Sequence, residues 1–176
     1  MAAGSGFSRT KVSLLSGIAV ITLVIDQWTK YLVHTKFSWG ESLPLIPGLF
    51  SLTYVRNKGA AFGLFHRAPE AFRDPFFIVV PVLAMVIILA LFYRLRDDQK
   101  ITATALCLIL SGAVGNLIDR VRFGYVIDFL DFYVKGAHWP AFNVADACIV
   151  VGVGIMLVQS FFEQSAEIPS KPKRSP

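Results

Sequence analysis

Charge is scarce in this sequence: 16% of its 176 residues are Asp, Glu, Lys or Arg, whereas 55% are hydrophobic. A soluble domain of this size needs more polar surface to stay dissolved, so the balance points to a membrane and excludes an ordinary soluble globule. Cysteine is nearly absent. Cys107 and Cys148 both lie inside apolar runs, which gives no ground for a disulfide framework or a thiol nucleophile. The histidines, His34, His66 and His138, are scattered without an HExxH spacing, so no metal site is expected. There is no GxSxG turn to carry a serine nucleophile. The net charge of +5 does not indicate nucleic acid, because the basic residues sit at the ends of apolar runs and in the tail and form no stripe.

What the chain has in quantity is long apolar runs. Four of them, Val12 to Val33, Pro75 to Tyr93, Ile101 to Ile118 and Asn143 to Phe162, are each near the ~20 residues a helix needs to cross ~30 Å of hydrocarbon. Pro81 interrupts the second run without vetoing it, since neighbouring helices can satisfy a freed carbonyl. Arg9 and Lys11 precede the first run in the manner of a secretory signal, but Asp26, Gln27 and Lys30 follow it in place of a small-residue cleavage site. An uncleaved first span is expected. The chain is read as one integral membrane domain, residues 1–176.

An even number of spans puts both termini on one side, with Arg9, Lys11, Arg94, Arg96, Lys100, Lys171, Lys173 and Arg174. The density of basic residues makes that side cytoplasmic. On the other side, residues 39–65 carry Pro-Gly punctuation around the strand-like LFSLTYV, which predicts a small β-rich subdomain on the membrane surface. The aromatic stretch between the third and fourth spans is expected to lie along the interface. Residues 164–176, polar and Pro-rich, read as a disordered cytoplasmic tail. The fold class is therefore an all-α polytopic membrane protein of four transmembrane helices, with a small extracytoplasmic β-rich subdomain and an interfacial segment.

The polar residues of the spans gather at one face. Asp26 and Lys30 lie near the outer end of span one, Asn116, Asp119 and Arg120 end span three, and Asn143 and Asp146 begin span four. Ionisable groups inside a membrane cost roughly 2.5 to 3.5 kcal/mol each on insertion scales, so several at one depth indicate a polar pocket. Each also has a plainer role. Asp26 and Lys30 are spaced i,i+4 with the acid first, as in a structural ion pair. Asn143 and Asp146 resemble an N-cap with an acid in the first turn. Asp119 and Arg120 fit an interfacial charge pair, and Asp128 and Asp131 fit solvated interface residues. What remains in number is carboxylates, and two held together in low dielectric divide their roles, one keeping a proton while the other activates water. Spacing alone leaves the choice open among Asp119, Asp128, Asp131 and Asp146.

Four segments in order, DQWTK at 26–30, NKGAAFG at 57–63, SGAVGNLIDR through VIDFLDF at 111–132 and FNVADA at 142–147, resemble the bacterial lipoprotein signal peptidase (signal peptidase II) family over nearly the whole chain. Ser111 and Ala147 depart from that pattern, at positions where the family usually has Gly and often has Ser. The resemblance implies an aspartic endopeptidase that removes prolipoprotein signal peptides immediately before a diacylglyceryl-modified cysteine. It further implies Asp128 and Asp146 as the catalytic pair. Asn57, Asn116, Arg120 and Asn143 match positions that line the site or hold substrate, and Asp26 and Lys30 match a supporting pair. No cofactor is implied, and the expected partners are the lipid-modified substrate and membrane lipids, with no nucleic acid and no obligate protein partner. The expected location is the bacterial inner membrane with the site at its extracytoplasmic face, and glycines within 57–63 suit a close-fitting cover. Two other classes compete: a small transporter, disfavoured by the lack of ionisable residues in the inner half of the spans, and a noncatalytic lipoprotein-binding module.

Overall fold

The computed structural model describes residues 8–59 and 68–167. Residues 60–65 of the expected β-rich stretch, including most of the expected cover, and residues 168–176 of the tail lie outside the described residues. Among the described residues, four helices are long and apolar enough to cross a membrane. A small antiparallel sheet sits at one end of them.

Helix α1 (Arg9–Lys36) starts at Ser8, whose side chain accepts from the Lys11 N–H. Helix α2 (Glu70–Arg94) begins five residues before the apolar run does. Glu70 suits the positive end of the helix dipole and pairs with Arg73 one turn on, at 3.1 Å. Helix α3 (Lys100–Phe123) outlasts its apolar run, because nothing in Asp119–Phe123 breaks a helix. Gly124 then ends it in the left-handed region at φ 76°, its N–H returning to the Arg120 carbonyl. Helix α4 (Val144–Glu167) extends into the segment expected to be disordered, so residues 164–167 are helical.

The sheet runs β1 (Ser42–Ile46), β2 (Phe50–Asn57), β3 (Val126–Val134) and β4 (Ala137–His138) in that order, all neighbours antiparallel. Thus the stretch expected to lie along the interface contains strand β3. Its near-continuous apolar character, VIDFLDFYV, is what a strand buried on both faces looks like, and residues 126–129 are all buried. Val33 of α1 packs with Tyr54, Ile127 and Phe129, fastening the sheet to the bundle. A second apolar cluster, Phe92, Ala103, Leu106 and Cys107, closes the opposite end. Between helices, contact is close because glycines allow it. A methyl group at Gly112 would stand 2.4 Å from the Ala145 carbonyl oxygen, and one at Gly152 would stand 2.7 Å from that of Ala105. Helix α3 is the hub, packing on α1, α2 and α4, whereas α2 packs substantially on α3 alone.

Candidate active site

One return of the chain assembles the polar end of the bundle. After β3 and β4, the Phe142 N–H donates to the Leu130 carbonyl at 3.1 Å, and the Phe142 carbonyl accepts from Phe129 and Leu130 at 3.0 and 2.8 Å. That short bridge sets Asn143 beside Asp128 at the moment α4 begins. Asn143 then caps α4 reciprocally with Asp146: the Asp146 N–H donates to Asn143 Oδ1 at 2.9 Å, and the Asn143 N–H donates to Asp146 Oδ2 at 3.3 Å. The same Asn143 donates from Nδ2 to Asp128 Oδ1 at 2.7 Å. Capping and site geometry are therefore one arrangement, and Asn143 joins the two aspartates.

Each aspartate receives two donors. Asp128 Oδ2 accepts from Asn57 Nδ2 at 2.9 Å, a diagonal contact across the antiparallel pair, since Asn57 lies opposite Val126. Asp146 Oδ1 accepts from Asn116 Nδ2 at 2.7 Å. Asp128 is 1% exposed, so the expectation of a solvated interface residue fails for it. Burial first, then the neighbouring Asp146 carboxylate, pushes the Asp128 carboxyl up to about 7, against the opposing pull of the Asn57 and Asn143 amides and the Lys30 charge.

Beneath this pair lies a buried ionic cluster. Lys30 Nζ stands 2.9 Å from Asp26 Oδ2 and 2.9 Å from Asp119 Oδ2, and donates to Asn116 Oδ1 at 2.9 Å. The remaining oxygens are satisfied too: Asp26 Oδ1 takes the Ala145 N–H at 2.9 Å, and Asp119 takes Gln27 Nε2 at 3.1 Å and the Ile127 N–H at 3.1 Å. Asp119 therefore does not pair with Arg120. Consecutive helical residues point about 100° apart, so a charge pair at i,i+1 is poorly placed. Residue patterns placed Asp119 at this end but with the wrong partner, and did not assign Gln27 to the cluster; a helical projection could have separated Asp119 from Arg120.

Arg120 turns away from Asp119. It donates from Nη2 to the Gly59 carbonyl at 3.1 Å, and its guanidinium carbon lies 5.1 Å from the centre of the Phe77 ring. It helps line a cavity of about 640 Å³, together with Asn57, Asn116, Asp146 and the apolar Phe77, Trp139, Ile149 and Val150. The cavity is bounded by α2, α3, α4 and the loop after β4. Asp131, likewise buried, belongs elsewhere: it accepts from Thr53 at 2.9 Å and pairs with His138 at 2.8 Å, tying three strands. Both cysteines are free. Among the described residues, no group of three or more His, Cys, Asp or Glu side chains is arranged to hold a metal ion. Chemically, the arrangement offers two adjoining carboxylates, Asp146 among them at the edge of a mostly apolar cavity, with amide donors and one cation beside it.

Comparison with known proteins gives a consistent result. The profile of the family described as signal peptidase (SPase) II matches residues 18–162. The lipoprotein signal peptidase of Geobacter metallireducens is 55% identical over 81% of this chain and 87% of its own. That of Geobacter sulfurreducens is 51% identical over 89% of this chain and 96% of its own. A solved structure described as a bacterial membrane enzyme superposes with a TM-score of 0.78 at 29% identity, covering 98% of this chain and all of its own.

Proposed function

The chain belongs to the signal peptidase II family, multi-pass membrane peptidases of the aspartic class that remove signal peptides from prolipoproteins, and from that premise we propose that Asp128 and Asp146 are its catalytic pair. The observation that carries this reading is that one residue, Asn143, bonds to both aspartates, Asp146 at the wall of the cavity and Asp128 buried behind it. In the reaction the two carboxylates share a proton and hold a water. One takes a proton from the water as it attacks the scissile carbonyl, and the other donates to the carbonyl oxygen or leaving amine. A coupled pair titrates as a unit, so neither aspartate alone owns the proton. Asn57, Asn116 and Asn143 fix the orientation of the carboxylates. Arg120, facing the cavity, holds a backbone carbonyl of the substrate or the developing oxyanion. Asp26 and Lys30, joined by Asp119, are the scaffold beneath.

The substrate is a prolipoprotein whose cysteine already carries diacylglycerol, cut immediately before that cysteine. Such a molecule must keep its acyl chains in lipid while its peptide reaches the aspartates. The apolar wall formed by Phe77, Ile149 and Val150, with Val150 70% exposed on the outside of the bundle, supports a sideways approach from the bilayer. The protein resides in the bacterial inner membrane with both termini cytoplasmic and the aspartate end extracytoplasmic, as the basic flanks of α1, α2 and α3 and the export of the substrates suggest.

The test is single-turnover cleavage of a diacylglyceryl-modified prolipoprotein by Asp128→Asn and Asp146→Asn. Asn nearly matches Asp in shape but cannot act as the base, so each variant should lose most turnover while remaining folded. The double variant should be scarcely worse than either single one, because the residues act together. A folded single variant cleaving at near-parental rate would eliminate the proposal.

A further inference from the structure

At the end of the bundle away from the sheet, the first turns of α1 and α3 frame an open cleft of about 600 Å³ lined by Arg9, Ser13, Leu14 and Lys100. Both cations are exposed, and neither takes part in an ion pair among the described residues. The nearby acids pair with other groups. Asp97 accepts from Ser8 Oγ at 2.7 Å and stands 3.9 Å from Lys11 Nζ, and Asp98 pairs with Arg96 at 2.5 Å. Neither α1 nor α3 has an acid in its first turn, and the residue before α3, Gln99, gives it no side-chain cap. With Asp97 and Asp98 so engaged, two cations line one cleft near the N-terminal ends of two helices, whose dipoles add to their pull on an anion. Beside them the surface turns apolar at once, with Val12 and Ile101 exposed to the surroundings of the bundle.

A general bias of basic residues toward one side of a membrane accounts for the charges, but not for a shared cleft with an apolar margin. We propose that this cleft binds the phosphodiester headgroup of an anionic glycerophospholipid from the leaflet on that side. Arg9, Lys100 and the Ser13 hydroxyl hold the phosphate, and the acyl chains run along Val12 and Ile101. The charge complementarity selects an anion, and the adjoining lipid-facing side chains select one that carries hydrocarbon. The inference is independent of the catalytic assignment, since the cleft and the aspartates lie at opposite ends of the molecule.

The full chain, purified in neutral detergent, is titrated with phosphatidylglycerol and with phosphatidylcholine of the same acyl chains, and bound lipid is counted by native mass spectrometry. The parent should prefer phosphatidylglycerol, and the Arg9→Gln/Lys100→Gln double variant should bind it about thirtyfold more weakly, roughly fivefold per cation. The control pair Lys36→Gln/Lys135→Gln, which removes as much charge at the other end, should bind as the parent does. Retained prolipoprotein cleavage certifies the fold of each variant. If the double variant loses cleavage, the single variants take its place, with about a fivefold loss expected in each. Equal binding of the two lipids, undiminished binding in the folded cleft variants, an equal loss in the control pair, or displacement of the lipid by millimolar inorganic phosphate would each overturn the proposal.

Discussion

Asp128 illustrates how a single position can be stabilised in one protonation state and useful in another. Its carboxyl is pushed to about 7 in the folded protein, from an ordinary value of 3.8, chiefly by burial. A raised carboxyl pKa means that the folded state prefers the proton. The stability it allows is full below about pH 4, and is lost as pH rises through about 7. Asp128→Asn carries no such penalty, so its thermal stability relative to the parent should rise from pH 4 to pH 7 and level off above. Unfolding curves at pH 4, 6 and 8 measure this, and a constant offset would show that Asp128 does not titrate in that window. Asp131→Asn is the matched comparison. It should keep substantial cleavage activity, yet lose about 1 kcal/mol of stability, since its carboxylate bonds to Thr53 and His138. Lys30 is a different case, because it neutralises both Asp26 and Asp119 and steadies Asn116. Lys30→Ala leaves two buried carboxylates uncompensated and should cost about 3 to 5 kcal/mol. Expression level and thermal midpoint should fall before any defect confined to cleavage appears, and a stable, abundant but inactive Lys30→Ala protein would move Lys30 into the catalytic machinery.

At the level of elements, the close approach of α3 to α4 fixes where Asp146 stands. Gly112 faces the backbone of Ala145, the residue just before Asp146, and a methyl there would also lie 2.8 Å from Ile149 Cγ1. The backbone oxygen cannot swing aside as a flexible side chain could. Gly112→Ala should therefore shift the first turn of α4, lowering stability by about 1 to 3 kcal/mol and cleavage by about a hundredfold, as expected for a misplacement near 1 Å. Gly17→Ala, where a methyl meets nothing within 4 Å, should match the parent in both assays. The elements also show what patterns of residues can reveal. The apolar runs disclosed all four helices, because length and hydropathy are local properties. Strand β3 was hidden because its aspartates interrupt an aromatic, apolar stretch that equally suits the interface, and only pairing with β2 makes it a strand. The Asn143–Asp146 cap was visible as a spacing. That the cap also bonds to Asp128 depends on the Phe142–Leu130 bridge, a contact no local pattern encodes. Asp119 was misassigned for the same reason, since its cation lies on another helix, at Lys30.

For the whole molecule, the sheet and the aspartates share one end while Arg9, Arg94, Arg96 and Lys100 share the other. Labelling settles which end faces outward. In a background with Cys107 and Cys148 replaced, a cysteine at Ser42 in β1 should react with an impermeant thiol reagent in intact cells, and one near Ser170 should react only after lysis. The reverse pattern would put the aspartate pair on the wrong side for exported substrates. The two ends differ in build as well. The sheet end is held by polar contacts so complete that, among the described residues, every buried side-chain nitrogen and oxygen has a partner, whereas the other end closes over Phe92, Leu106 and their apolar neighbours.

Because α3 is the hub on which the other three helices pack, the order of synthesis has a consequence for assembly in the cell. The first two helices leave the ribosome with no substantial packing between them, and each waits in lipid as a separate rod. During that interval Lys30 has Asp26 as its counter-ion, with the Gln27 amide also on Asp26, and Arg73 has Glu70 and Asp74. Emergence of the third helix brings Asp119 and Asn116 to Lys30 and gives α2 its support. A nascent chain halted between residues 95 and 99 is thus a natural substrate for membrane quality control, whereas one released after α3 already has most of its interior and lacks only the helix that delivers Asp146.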